Sequence, residues 1–241
     1  MSEPYHIIIP ARLRSSRLPG KLLMTVAGRS ILEYVYRQVE LASAQSITIA
    51  TDSEQLQQLA LGFGANVVMT DMHHVSGTDR VAEAARVLGL PHDAVIVNVQ
   101  GDEPQIPPEL VHQVAQVISN DWASLYWPID NIDDYLNPNV VKVVLDDKQR
   151  ALYFSRSPIP FNREYHQTLP KSYKHIGLYA YRMQSLQRWV QAPPSSLEKY
   201  ESLEQLRTLS LGMQIQMQQA CCAPGQDINI LDDFQRFEAM V

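Results

Sequence analysis

The sequence predicts an α/β protein with a mainly parallel sheet and a mixed second half. Two observations carry this. Apolar, β-branched runs alternate with helical patterns through the first half, and the first run, Ile7-Ile8-Ile9, stops at Pro10 and opens into a loop of cations. Strand–helix–strand repetition implies right-handed crossovers between parallel strands.

Tyr5–Pro10 reads as a buried strand because its isoleucines leave no polar face. Arg12, Arg14, Arg17 and Lys21 follow, with Ser15, Ser16 and Gly20 among them. Open α/β sheets bind ligands at the carboxyl ends of their strands, and small residues let backbone donors approach an anion, so a polyphosphate ligand is expected there. A P-loop is excluded, since Leu22 stands where the magnesium-binding hydroxyl would be and Ser15 where the leading glycine would be. No G-x-G-x-x-G follows the strand either.

Ser30 opens a helix with Glu33 completing a capping box, and Ile31, Val35 and Val39 mark its apolar face. Ser46–Thr51 is the next strand. Asp52 is placed to cap a second helix carrying Leu56, Leu59 and Ala60. Asn66–Thr70 is a strand, Thr78 or Asp79 opens a third helix through Val81, Ala82, Ala85 and Leu88, and Ala94–Gln100 is the fourth strand. In the second half, Val140–Asp146 and Ala151–Arg156 form a hairpin around Asp147-Lys148, and His175–Arg182 is a further strand. Ser195, with Glu198 three residues on, caps one helix whose buried side is Leu197, Leu203, Leu206 and Leu209. Gln214–Gln218 is a strand and Ile230–Met240 a closing helix. Prolines 158, 160, 170, 193 and 194 divide these pieces without a low-complexity linker. Residues 1–241 therefore read as one domain, with a nucleotide-binding half to about residue 120 and a half from 121 onward that shapes a second ligand site.

A net charge of -6 over 241 residues argues against a nucleic-acid partner, because no basic face would offset phosphate repulsion. No apolar run approaches membrane-spanning length and Met1 to His6 lacks a signal-peptide pattern, so a cytoplasmic protein without a membrane partner is expected. Adjacent Cys221 and Cys222 fit neither a relaxed disulfide nor a C-x-x-C metal pattern, and read as small apolar fillers.

Two further motifs face the cationic loop. Gln100-Gly101-Asp102-Glu103-Pro104 follows the fourth strand, so Asp102 also lies at a carboxyl end. Beside phosphates a carboxylate makes sense as a ligand of Mg²⁺, which takes one or two carboxylates plus phosphate oxygens. Ser76-Gly77-Thr78-Asp79-Arg80 brings hydroxyls, a glycine and an arginine to a helix start. The neighbouring His73 and His74 read as polar loop residues.

Together, P-A-R-x-x-S-x-R-L-P-G-K, S-G-T-D-R and N-V-Q-G-D-E-P resemble the 3-deoxy-manno-octulosonate (Kdo) cytidylyltransferases. The resemblance continues through Asn137 to Val144, Tyr153 to Arg156, His175 to Tyr179 and Leu203 to Arg207, covering nearly the whole chain. It implies a Rossmann-like nucleotide-diphospho-sugar transferase fold, a homodimer, and Mg²⁺-assisted transfer of CMP from CTP to an eight-carbon sugar acid for lipopolysaccharide core synthesis. By motif position it implies that Pro10, Ala11, Arg12, Arg17, Lys21, Ser76, Gly77 and Arg80 hold the nucleotide. Gln100, Arg163, His175, Tyr179, Glu204 and Gln205 fall on the sugar-acid side. Arg12, Lys21, Asp102 and Arg156 serve the reacting phosphates, with Asp102 and Asn229 at the metal.

The chain departs from the family near its end. Where the family reads G-V-D-T-P-E-D-L, this chain reads Asp227-Ile228-Asn229-Ile230-Leu231-Asp232-Asp233-Phe234, so Asn229 replaces a metal-ligating aspartate and Asp227 lies two residues away. A neutral ligand there is compatible with an acceptor bearing an ammonium, 8-amino-3,8-dideoxy-manno-octulosonate, which stands beside Kdo with a slight lean toward the amino sugar. A sialic-acid-type cytidylyltransferase, and a nucleotide-sugar binding protein without catalysis, are the competing readings.

Overall fold

A computed structural model describes residues 3–13, 15, 17–164 and 168–241. Arg14 and Ser16 of the cationic loop lie outside the described residues. In chain order the first half runs β1 (Tyr5–Ala11), the short hairpin β2 (Thr25–Val26) and β3 (Arg29–Ser30), α1 (Ile31–Glu40), β4 (Ser46–Thr51), α2 (Glu54–Gly62), β5 (Asn66–Met69), α3 (Gly77–Val87), β6 (Val95–Asn98) and α4 (Pro108–Val117). Then come β7 (Trp122–Ile129), α5 (Ile132–Leu136), β8 (Lys142–Leu145), β9 (Ala151–Ser155), β10 (Ser172–Arg182) and α6 (Met183–Val190). The chain closes with α7 (Ser196–Glu201), α8 (Gln205–Ser210), β11 (Ile215–Gln219) and α9 (Leu231–Met240).

The main sheet has the order β11-β7-β10-β6-β1-β4-β5, with β8 and β9 branching from β10. β6, β1, β4 and β5 are mutually parallel, as the β-branched runs predict, whereas β10 lies antiparallel to both β6 and β7. The result is the expected Rossmann-like α/β sheet with a mixed second half. β1 is central because both its faces are covered: Ile7 and Ile9 enter one core cluster and Ile8 the other, all fully buried. Each such side chain contributes about 1.5–3 kcal/mol of burial.

Ser30 caps α1, accepting from the Glu33 backbone N–H at 3.1 Å, but the expected box is half formed, because the Glu33 carboxylate turns to Arg37. Two other caps move. Ser53, not Asp52, caps α2, because the Asp52 carboxylate is held by Arg80. α3 begins at Gly77 with Ser76 as its cap, one or two residues before the expected start at Thr78 or Asp79. The helix expected from Ser195 through Leu209 is two helices: the capping box forms, but Ser202 adopts a left-handed conformation (φ 53°) and turns the chain before α8. Leu203 and Leu206 are buried, while Leu197 is exposed. Cys221 is exposed rather than a core filler, and only the half-buried Cys222 packs on the core. Among the described residues, no helix is long and apolar enough to cross a membrane.

Candidate active site

The ends of β1 and β6 meet at one point. Gly101 sits so close to β1 that a Cβ there would lie 3.1 Å from the Pro10 carbonyl oxygen, so the absence of a side chain lets the two strand ends converge. A cleft of ≈ 230 Å³ opens above them, lined by Pro10, Ala11, Arg12, Ser15, Arg17 and Lys21 from the cationic loop. His74, Val75, Ser76, Gly77 and Arg80 close its other side, and Gln100, Gly101, Asp102 and Glu204 its floor. All eight residues expected at the nucleotide are thus in one cleft. Gly20 sits at φ 70° and turns the chain so that Lys21 points back to β6.

The site is tightly wired. Lys21 Nζ contacts the Asp102 carboxylate and donates to the Ile228 carbonyl at 2.9 Å. Arg80 donates to Thr70 Oγ1 and, at 2.9 Å, to Asp52 Oδ2, so its buried guanidinium braces the wall. The Ser76 hydroxyl accepts from the Asp79 backbone N–H and donates to Asp79 Oδ2, which leaves the helix start itself as the anion-facing feature.

A second cavity adjoins the first, sharing Gly77, Gln100, Asp102 and Glu204 with it. Glu103, Trp122, Gly177, Tyr179, Gln205 and Asp227 complete much of its lining. Glu204 accepts from Thr78 Oγ1 at 2.8 Å, and burial holds its carboxyl above the ordinary range. Burial also raises the Tyr179 hydroxyl well above its usual value, so that group stays protonated. Burial and then the charge of Asp102 push Asp227 up to about 6, while Lys21 and a hydrogen bond from Asn229 pull in the other direction.

His175 lies just beyond, in a hollow that meets the second cavity at Glu103, Gly177 and Asp227. Its Nε2 is 3.1 Å from Ser124 Oγ, and burial lowers its pKa to about 3. The ring is neutral and serves as a hydrogen-bonding group. The cost of that burial is measurable. Below pH 6.5 the unfolded chain takes up a proton at His175 that the folded chain refuses until about pH 3. Stability present above pH 6.5 is therefore lost on acidification through this window, by up to about 1.4 kcal/mol per pH unit. His175→Gln, which keeps a partner for Ser124, should flatten that acid slope in urea titrations. An unchanged difference between variant and wild type from pH 6.5 to 4 would contradict the assignment.

Two expected site residues stand apart, and a third borders the site through other partners. Arg156 lies in neither cavity: its Nε donates to the Glu201 carbonyl at 2.7 Å, and its terminal nitrogens to those of Pro138 and Ser202. Arg163 is exposed on the segment between β9 and β10. Asn229 turns its amide oxygen to Arg17 Nη2 at 2.7 Å, while Asp227 is the carboxylate that faces Asp102 across the second cavity. Gly225 positions this segment, since a Cβ there would fall 2.2 Å from the Gln105 carbonyl oxygen. Asp227 is the carboxylate close enough in sequence to compensate for Asn229, whereas Glu103 is a site residue that the motifs leave without a role. The available signal for Glu103 is its place next to Asp102.

Cations over the carboxyl ends of parallel strands, with a carboxylate pair behind them, define a nucleotide-binding α/β protein of the nucleotidyl-transfer type. A sequence model of the cytidylyltransferases matches residues 6–215. The 3-deoxy-manno-octulosonate cytidylyltransferase of Legionella pneumophila (strain Lens) is 49% identical over 236 residues, 97% of this chain and 94% of its own. That of Thioalkalivibrio sulfidiphilus is 43% identical over 246 residues, covering 98% of each chain. The structure of a CMP:2-keto-3-deoxy-manno-octonic acid synthetase complexed with CTP superposes with a TM-score of 0.91 at 36% identity, covering 99% of this chain and 98% of that one. The chain belongs to the cytidylyltransferase family.

Proposed function

We propose that this chain couples CTP to 3-deoxy-manno-octulosonate, giving the CMP-sugar and pyrophosphate. The observation that carries the reading is the abutment of the two cavities at Asp102: one is lined by cations and a helix start, the other by neutral and acidic hydrogen-bonding groups. The names of the relatives, and the CTP held by the similar synthetase, support the same pair of reactants.

In this reading Arg12, Arg17 and Lys21 neutralise the triphosphate, and Pro10, Ala11, Ser76, Gly77 and Arg80 shape the nucleoside end of the cleft. Gln100, Tyr179, Glu204 and Gln205 orient the sugar acid through hydroxyl and amide contacts, with His175 supporting them from beyond. The anomeric oxygen forms its bond to the α-phosphorus, the bond from that phosphorus to the α,β-bridging oxygen breaks to release pyrophosphate, and the hydroxyl proton leaves to solvent. Positioning and charge neutralisation supply most of the acceleration in such a transfer.

The acidic side fits a magnesium ion. The Asp102 charge raises the cost of ionising Asp227, and the cation beside Asp102 is Lys21. Two carboxylates plus phosphate oxygens are a donor set that Mg²⁺ accepts. Such an ion supplies charge neutralisation at the phosphates and acidifies a nearby hydroxyl. Among the described residues no three His, Cys, Asp or Glu side chains converge on one point, so the remaining oxygens would come from substrate.

The Asn229 amide oxygen accepts from Arg17 and its side chain also hydrogen-bonds Asp227, so it is engaged by protein partners on both sides. Kdo is preferred over its 8-amino analogue because the relatives at 49% and 43% identity are named for Kdo. A homodimer in the cytoplasm, with the second half supplying the dimer surface, completes the proposal. Pyrophosphate release measured with CTP and, in turn, Kdo, 8-amino-Kdo and a sialic acid tests it. Kdo should give the highest kcat/KM, by tenfold or more for a preference of about 1.4 kcal/mol. A higher value for either other acid would overturn the assignment.

A further inference from the structure

The loop joining β5 to α3 forms one wall of the nucleotide cleft, through His74, Val75 and Ser76. Val75 and Met72 are exposed, so apolar burial does little to hold this loop in place. It is held instead from behind. Glu83, near the middle of α3, lies outside the cleft lining and faces a separate surface hollow. Its Oε2 accepts from the Asp71 backbone N–H at 2.8 Å and meets His74 Nε2 at 2.5 Å. One carboxylate oxygen thus grips the loop at its start and at the residue that forms the wall between hollow and cleft. Asp71 extends the grip by accepting from the His73 backbone N–H at 2.8 Å.

We propose that Glu83 is a positioning residue for the nucleotide: it clasps the 71–76 loop in the shape that receives CTP. The inference rests on the cleft being the nucleotide site. Ordinary surface ion pairs stabilise little, but here the pair joins a helix to a loop with few other anchors. A loop ordered before binding loses less freedom when ligand arrives, so the clasp acts on affinity. Although burial alone would raise it, the hydrogen bonds from Asp71 and His74 keep the Glu83 carboxyl below its ordinary pKa. Arg86 also faces Glu83, at 3.9 Å, but touches the other carboxylate oxygen and not the loop. It supplies the control.

The test is CTP binding by calorimetry, with initial rates and hydrogen exchange of the 71–76 amides, on wild type, Glu83→Ala, Glu83→Gln and Arg86→Ala. Glu83→Ala should weaken CTP roughly tenfold, the equivalent of 1.4 kcal/mol, with kcat at saturating CTP within about twofold and faster exchange in the loop. Glu83→Gln retains an acceptor and should recover most of the affinity. Arg86→Ala should bind as wild type. Unchanged CTP affinity in Glu83→Ala overturns the clasp, as does a fall in kcat without a change in affinity. Equal losses in Glu83→Ala and Arg86→Ala would overturn it too, because they would report general weakening of α3. Wild-type protein that fails to bind CTP would overturn the nucleotide reading and the clasp with it. Wild-type binding with an unaffected Glu83→Ala removes the clasp alone.

Discussion

Asp102→Asn should reduce pyrophosphate release at least a hundredfold while the circular dichroism and unfolding cooperativity stay native. Asparagine keeps the size of the side chain and an oxygen for Lys21, and the backbone carbonyl of residue 102 still accepts from the Ile228 N–H at 2.9 Å. Local structure is thus preserved. What disappears is the charge at the junction of the two cavities. Removing a single preorganised electrostatic contact from a reaction centre typically costs about 2.7–4 kcal/mol, or 10²–10³ in rate. The variant should also relieve Asp227, whose carboxyl is raised in part by the Asp102 charge, so stability near neutral pH should not fall. Turnover within tenfold of wild type would move the acidic centre elsewhere.

Lys21→Ala should act on the nucleotide and on the fold together. Its ammonium lies between the Asp102 carboxylate and the Ile228 carbonyl, tying the strand end of β6 to the segment before α9. Loss of one charged hydrogen bond to the triphosphate costs about 1.5–3 kcal/mol, so CTP affinity should fall between tenfold and a hundredfold or somewhat more. The carboxylates lose their neighbouring cation at the same time, which lowers stability by an amount screened at a partly exposed site. Lys21→Arg, which keeps the charge, should restore stability better than it restores turnover, because a planar fork cannot replace a point charge at a built site. Calorimetry and urea denaturation separate the two effects. Unchanged CTP affinity in Lys21→Ala would remove this residue from the phosphate site.

The parallel half was legible because its strands are unbroken apolar runs, and a strand covered on both faces has no other pattern to show. β7 is hard to read in the sequence, for its Ser124 and Pro128 interrupt the apolar run, yet it pairs with both β10 and β11. α4 has its own signal in Pro107-Pro108 followed by apolar residues at 110, 111, 114 and 115, a helical spacing. The break at Ser202 had none, because neither Gly nor Pro marks it. At the site, the local motifs place the eight residues expected at the nucleotide in one cleft, since the loop after β1 and the start of α3 both open there. Side chains whose work depends on distant partners were harder. Arg156 is held by carbonyls from two other segments, and the Glu83–His74 contact joins a helix to a loop that reads as merely polar.

β10 lies between β6 and β7, so residues 172–182 separate strands that end more than forty residues before them. The consequence concerns how the chain is made. As it leaves the ribosome, β6 is complete while its antiparallel neighbour is not yet synthesised, and its fully buried Val95, Ile96 and Val97 border an open sheet edge. Such an edge is a template for pairing with another chain. Closure must wait for a long-range strand insertion, and topologies of this kind fold slowly. A fragment ending near residue 120 would keep that edge permanently open and should aggregate, even though it contains most of the nucleotide cleft.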